Sequence, residues 1–501
     1  MSNKQSSTTE NDSNHIPVKL MDTESPVEQF HPAGVDEVDL YQRREKIYAR
    51  KIEGFYQRIR MYTGWPLLLG YFFLPWLNWN GSQAILFDLP SRQFHIFFFT
   101  FWPQDFPLLA WLLIIAAFSL FAVTAWVGRV WCGYTCPQTV WTAVYMWAEQ
   151  FCEGSRNQRI KLDKAPWSAQ KLLRKTAKHG IWIGFAFITG LTFVGYFSPI
   201  RELVVNLFTF NIDQSAAGFA LHWGLGWWEI AWINFFTWAT YINAGWLREQ
   251  VCMYMCPYAR FQSVMFDQDT LIVSYDERRG EVRGPRKKGS DPAALGLGDC
   301  IDCQICVQVC PVGIDIRDGL QYQCINCALC IDACNSVMDQ MGYEKGLIRY
   351  TTENLLQGKP TNFLRPRLIG YGIAVLVMVA LFITVVITRE PLKLDVIRDR
   401  DRLYTESTEG MIENSYTLKV INMDQISRRY RITVNGLDGV KFVGNDELMV
   451  APGEVMELPI RLSIDPVNLN DTNNTIEFVL ESVDSKQFKD TAESRFIGPR
   501  I

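Results

Sequence analysis

Eight cysteines stand between positions 300 and 334 in two copies of one spacing. Cys300-Ile-Asp-Cys303-Gln-Ile-Cys306-Val-Gln-Val-Cys310-Pro311 reads C-x2-C-x2-C-x3-C-P. Cys324-Ile-Asn-Cys327-Ala-Leu-Cys330-Ile-Asp-Ala-Cys334-Asn335 repeats it without the proline. This is the bacterial two-cluster ferredoxin run, in which the fourth cysteine of each copy ligates the other cluster. The spacing predicts two [4Fe–4S] clusters. One takes Cys300, Cys303, Cys306 and Cys334; the other takes Cys324, Cys327, Cys330 and Cys310. Each corner iron needs one soft thiolate. The short spacings leave the backbone N–H groups between the cysteines free to face cluster sulfides. Two four-cysteine zinc sites are the competing reading, but zinc ribbons pair their C-x2-C units across longer gaps. Asn335 in place of proline removes no ligand.

The rest of the chain is unlike a soluble ferredoxin. Of 501 residues 48% are hydrophobic and only 20% charged, against roughly 25% charged in soluble domains. A membrane helix needs roughly 20 mainly apolar residues. Five runs qualify: Tyr62–Trp79, Phe106–Val127, Ile181–Phe197, Trp228–Trp246 and Leu368–Ile387. Glu229, near one end of the fourth, fits an interfacial place. Lysine and arginine alternate between the connections. Arg43, Arg44, Lys46, Arg50, Lys51, Arg58 and Arg60 precede or open the first run. Arg156, Arg159, Lys161, Lys164, Lys171, Arg174, Lys175 and Lys178 crowd the second connection, and RRGEVRGPRKKG the fourth. The first and third hold only Arg92 and Arg201. The pattern predicts a cytoplasmic N-terminus and cysteine insert, and an external C-terminal region. The long polar stretch before the first apolar run is not expected to act as a cleavable signal. The net charge of −4 argues against a nucleic-acid partner. Thirteen cysteines, an odd number with none after Glu390, exclude a simple disulfide framework.

Four more cysteines form a second repeat. Cys132-Gly-Tyr134-Thr-Cys136-Pro137 and Cys252-Met-Tyr254-Met-Cys256-Pro257 both read C-x-Y-x-C-P. Each follows an even-numbered span at its cytoplasmic end and precedes an aromatic amphipathic stretch, which suggests a duplicated unit. Proline suits the first helical position, so Cys136 and Cys256 are expected to cap new helices. There their thiol pKa values would be lowered, with help from Arg129 and Arg260. Such thiols could take Cu(I), a further iron–sulfur cluster or zinc, or cycle as disulfides. Cys152 stands alone and reads as a packing residue.

From about residue 391 the hydropathy alternates with period two. Seven strands are expected: Ser415–Asn422, Arg428–Asn435, Val440–Val443, Glu447–Val450, Val455–Ile464, Asn474–Ser482 and Ser494–Ile497. Their number and turns argue a β-sandwich, without a catalytic constellation. No GxGxxG after a strand and no phosphate loop is present, and the five histidines form no facing pair for haem. Electrons must then come from a cytoplasmic donor. The expected layout is a Ser/Asn-rich disordered tail at 1–40, then a membrane domain with four spans and both CxYxCP motifs at 41–268. A ferredoxin-like domain follows at 269–366, a fifth span at 367–389 and the sandwich at 390–501.

The stretches QAILFDLPSRQFHIF, FTFWPQDF, GRVWCGYTCPQTVW, KLLRKTAKH, GYFSPIREL, CMYMCPYARFQSVMFD and GLIRYTTEN, with the doubled cluster motif, resemble the CcoG (FixG, RdxA) accessory proteins of the cbb3-type cytochrome c oxidase. The resemblance runs from about residue 35 into the C-terminal region, which looks like the family's immunoglobulin-like module. It implies an inner-membrane, multi-pass oxidoreductase with a periplasmic C-terminal domain. It also implies a Cu(II) reductase in oxidase assembly, with Cys132, Cys136, Cys252 and Cys256 as the copper and catalytic residues. Copper-transport and oxidase-assembly proteins are the implied partners, and self-association stays open. A similar C-x3-C-P theme in membrane ferredoxin subunits of nitrate and nitrous oxide respiration keeps a quinone-linked role as an alternative. A non-enzymatic copper-holding scaffold is the third reading.

Overall fold

A computed structural model describes residues 46–499, apart from 80–81, 98, 216–217, 389–391, 400–401, 424–425, 470 and 484–487. The expected tail at 1–40, with Arg43 and Arg44, lies outside the described residues. The chain divides into two compact units, the first ending at Val379 and the second spanning Ala380–Ile501.

The first unit is built on helices, four of which overlap the expected apolar runs. They are α1 (Phe55–Phe73), α2 (Phe106–Val127), α3 (Val130–Tyr134), α4 (Pro137–Glu153), α5 (Ala169–Val194), α6 (Trp227–Thr240) and α7 (Pro257–Met265). The dicluster region adds α8 (Ile305–Val309) and α9 (Leu329–Met341), and α10 (Pro366–Ile387) leads into the second unit. Three of them, α2, α5 and α10, are long and apolar enough to cross a membrane. The apolar stretch of α10 buries nothing against protein, as a lipid-facing helix would.

The other two expected spans are cut differently. The run Tyr62–Trp79 belongs to a helix that starts earlier, carries Arg58 and Arg60, and gives way to a 3-10 turn at Leu74–Trp76, where Pro75 breaks it. Trp228–Trp246 becomes a 14-residue α-helix continued by a π-helical turn at Tyr241–Leu247. Glu229 caps that helix by accepting from Gly226 N at 2.9 Å, an end position as expected.

Several cations that the sequence placed in a connection are paired inside the fold. Arg159 bonds Glu149 at 3.0 Å, and Arg248 reaches the same carboxylate at 3.2 Å. Lys175 and Lys178 lie on α5 and meet Glu153 at 2.9 and 3.0 Å.

The dicluster region closes with a two-stranded sheet, β1 (Ile272–Tyr275) against β2 (Ile348–Thr351), antiparallel with Ile272 opposite Thr351. It docks on the helices through Asp332, whose carboxylate accepts from Tyr56 N at 3.2 Å and Gln57 N at 2.8 Å. A residue between two cluster cysteines thus satisfies the orphan N–H groups at the start of α1.

The second unit is a two-sheet sandwich. One sheet runs β3 (Leu392–Arg398), β5 (Ile412–Asn422), β9 (Val455–Ile464), β7 (Lys441–Val443), with β4 (Thr405–Glu406) added on β5. The other runs β8 (Glu447–Val450), β6 (Arg428–Asn435), β10 (Asn473–Ser482), β11 (Lys489–Ile497). Tyr416, Leu418, Val420, Ile432, Leu462, Phe478, Leu480 and Phe496 fill the space between them. Tyr416 and Phe478 meet edge to face at 5.2 Å, and the Tyr416 hydroxyl donates to Arg495 O at 3.0 Å. All seven expected strands are present; β3 and β4 are additional. β11 starts five residues before its expected Ser494, because its first half turns mostly small or polar residues inward and shows no hydropathy alternation.

Candidate metal centres

Two small cavities open inside the dicluster region. Cys300, Cys303, Cys306 and Cys334 line one. Cys310, Cys324, Cys327 and Cys330 line the other, which Cys306 also touches. The fourth cysteine of each copy therefore sits with the first three of the other, the crossed grouping expected from the spacing. Apolar residues close both cavities, including Val273, Ile314 and Leu329 in one and Val337, Met338 and Leu347 in the other.

The backbone repeats as the sequence does. Asp302 and Gln304 have φ of +53° and +55°, and the equivalent Asn326 and Ala328 have +51° and +60°. Left-handed residues interleaved with right-handed ones turn successive N–H groups into an anion-binding concavity. Gln304 and Ala328 have no intrinsic reason to be left-handed, a conformation that costs roughly 1–2 kcal/mol. A cluster-cradling loop is a physical reason to hold it. Burial pushes the thiols of Cys306, Cys310 and Cys334 up to about 12 and Cys324 up to about 11. They need a metal to become thiolates. Soft donors, four to a cavity in apolar walls, fit the [4Fe–4S] groups that the spacing implies.

The second repeat lies directly against the second cavity. As expected, Cys136 and Cys256 stand at the N-caps of α4 and α7, each with proline next. Cys132 packs in one apolar cluster with Cys310, Cys327, Ile325 and Met253. Cys136, Cys252 and Cys256 all act electrostatically on Cys132, and Cys136 and Cys256 on Cys252, so the four thiols are neighbours. Gln138 ties the two copies by donating to Asn243 O at 2.9 Å and Arg248 O at 3.1 Å. Among the described residues no three His, Cys, Asp or Glu side chains close on one point tightly enough for a single metal ion. That holds equally for the ferredoxin thiols, which ring cavities.

The expected thiol activation is not what the pocket provides. Burial pushes Cys132 up to about 12 and Cys252 up to about 11, and it raises Cys136 as well. Arg129 pulls against burial at Cys132 and Cys252. The N–H groups of Gln138 and Thr139 at the start of α4 do so at Cys136. Desolvation outweighs both. Arg129 is buried, whereas Arg260 is exposed.

Residues between the pocket and the clusters carry no cysteine signature, and sequence reasoning passed them over. Gly133 sits so close to the second cluster's loop that a Cβ there would lie 2.7 Å from Ile325 O and 2.9 Å from Cys327 Cα. Gln262 is fully buried and accepts from Cys132 Sγ at 3.3 Å. Tyr322 donates to Met253 O at 3.2 Å. The glycine inside C-G-Y-T-C-P was the one available signal.

Comparison with known proteins agrees with this architecture. Residues 247–353 match a family described as a 4Fe-4S dicluster domain, and residues 382–499 one described as an IG-like fold at the C-terminal of FixG. The nitrogen fixation protein FixG of Rhizobium meliloti (strain 1021) is 38% identical over 436 residues, 79% of this chain and 80% of that protein. The chain belongs to the FixG family. Proteins RdxB and RdxA of Cereibacter sphaeroides are 38% and 36% identical, across 79% and 80% of this chain and 83% and 85% of their own. A crystal structure of a FixG-related protein from Vibrio parahaemolyticus, 42% identical, covers 22% of this chain and 97% of its own, with a TM-score of 0.21. This FixG relative is thus an iron–sulfur protein of the oxidoreductase type, with membrane-type helices and an immunoglobulin-like C-terminal domain.

Proposed function

We propose that this protein reduces Cu(II) to Cu(I) in the four-thiol pocket, with electrons supplied by a cytoplasmic one-electron donor, for copper delivery during assembly of a cbb3-type oxidase. The observation that carries the reading is the packing of Cys132 and Gly133 on the loop of Cys327. The eight ferredoxin cysteines hold two clusters in the crossed grouping, and these supply one-electron storage and transfer. Cys132, Cys136, Cys252 and Cys256 draw together on the copper substrate. Soft thiolates prefer Cu(I) to Cu(II), so the pocket itself favours the product. One electron converts one Cu(II) to one Cu(I), and the thiolates are not consumed. The apolar walls around Cys132 exclude water from that transfer. In the proposed topology all five helical runs span the inner membrane, with the N-terminus and dicluster domain cytoplasmic and the C-terminal domain periplasmic. There the sandwich would dock copper-transport and oxidase-assembly proteins.

A quinone acceptor is the second reading. His179 Nδ1 and the Tyr241 hydroxyl are 2.8 Å apart, beside Trp182 and Trp246, a set able to hold a quinone head. Anaerobically reduced full-length protein, mixed with Cu(II) and a Cu(I)-specific chelator, distinguishes the two. One Cu(I) per electron lost supports the copper reading. Oxidation by a quinone analogue but not by Cu(II) replaces it with the second.

A further inference from the structure

Arg129 is 3% exposed. Its Nε donates to Gln262 Oε1 at 3.0 Å. One terminal nitrogen donates to Tyr322 O and to Cys324 O, the latter at 3.3 Å, and the other donates to Ala259 O. The guanidinium therefore ties α7, the pocket and the loop of the second cluster together. Every one of these partners is neutral, and among the described residues no carboxylate pairs with it. An uncompensated buried cation costs several kcal/mol. The anions positioned to compensate it are thiolates: Cys132, which shares Gln262 Oε1 with it, and Cys324, whose carbonyl it holds. The second copy carries Glu249, also buried, at the equivalent position three residues before its first cysteine. The cation belongs to one copy alone.

We propose that Arg129 is a positioning residue whose fixed positive charge is shared by the four-thiol pocket and the second cluster's loop, and that it sets how readily both accept an electron. The inference rests on the reading of the pocket given above. Removing the charge makes an added electron less favourable at both places. It also leaves the loaded thiolates without their counter-charge, and the loss of such outer partners weakens metal binding about 10–100-fold.

The test compares Arg129→Gln and Arg129→Lys in full-length, anaerobically purified protein. The readouts are iron content, the reduction potentials of the clusters by spectroscopic titration, and Cu(I) retention against a competing chelator. Arg129→Gln should keep its iron, lower the potential of one cluster, and weaken Cu(I) retention about 10–100-fold. Arg129→Lys, which keeps the charge but not the fork, should hold that potential near wild type. Equal potentials in the wild type and Arg129→Gln overturn the proposal. So does loss of iron from both variants, since Arg129 would then only hold the loop in place. The potential is read without copper, so this inference and the copper reading fail separately: failure of the wild type to bind Cu(I) would sink the latter alone.

Discussion

The two C-x-Y-x-C-P copies share their cysteines, tyrosine and proline but differ in nearly everything that surrounds them. The first forms a short α-helix and then the 17-residue α4. The second is π-helical over Val251–Met255 and leads into the nine-residue α7. Tyr134 is buried and shares a hydrogen bond with Tyr350 at 3.2 Å, whereas Tyr254 is 68% exposed. Gly133 lies on the backbone of Cys327, and Met253 at the same position packs in an apolar cluster with Ile325 and Cys327. Both copies touch the dicluster region, the first through Gly133 and Tyr134 and the second through Met253. Identical thiols therefore should not give identical phenotypes.

The largest expected difference is at the glycine. Gly133→Ala puts a Cβ within 3.0 Å of three backbone atoms of the second cluster's loop. About half of the iron and acid-labile sulfide should be lost. Met253→Ala should keep all of it, at a stability loss of about 2 kcal/mol or less. Full iron in Gly133→Ala would remove the contact on which the asymmetry rests. Next come the thiol pairs. Cys132→Ser/Cys136→Ser and Cys252→Ser/Cys256→Ser should each weaken Cu(I) binding by more than tenfold, measured against a chelator. Only the first pair should also alter the spectrum of a reduced cluster. A smaller effect follows from acidity. Burial holds Cys132 near 12 and Cys252 near 11, so the unloaded thiols are protonated at neutral pH and copper must displace their protons. Cu(I) affinity should therefore rise with pH across 6–9, up to about tenfold per unit for each proton displaced. A flat profile would mean that the thiols are already ionised. The smallest contrast is Tyr134→Phe against Tyr254→Phe. The first loses a buried hydrogen bond worth about 1 kcal/mol, and the second should stay within about 0.5 kcal/mol in thermal unfolding.

Periodicity and spacing made much of this legible beforehand. Apolar runs located α2 and α10 to within two residues, and period two located five sandwich strands to within one residue at both ends. The crossed cysteine grouping followed from C-x2-C-x2-C-x3-C alone. Contacts made across long sequence distances were not legible. Asp332 capping α1, Gly133 on Cys327 and Arg129 on Cys324 each join segments about 190 residues or more apart, and no local pattern records such a meeting. The thiol acidity was misjudged for a related reason. Helix position is local, but the burial that overrides it comes from distant segments, as where Cys132 packs with Ile325 and Cys327.

The central claim is that electrons held in the dicluster domain leave through the four-thiol pocket. Replacing Cys132, Cys136, Cys252 and Cys256 together with serine, then reducing the clusters and mixing with Cu(II) in a stopped-flow instrument, tests it most directly. The account predicts iron content and dithionite reduction unchanged from wild type, with cluster reoxidation by Cu(II) slowed at least tenfold. Reoxidation at the wild-type rate would contradict it, because copper would then be reduced at the clusters themselves. Loss of four further irons from the variant would contradict it too, because the four thiols would then hold a third iron–sulfur cluster.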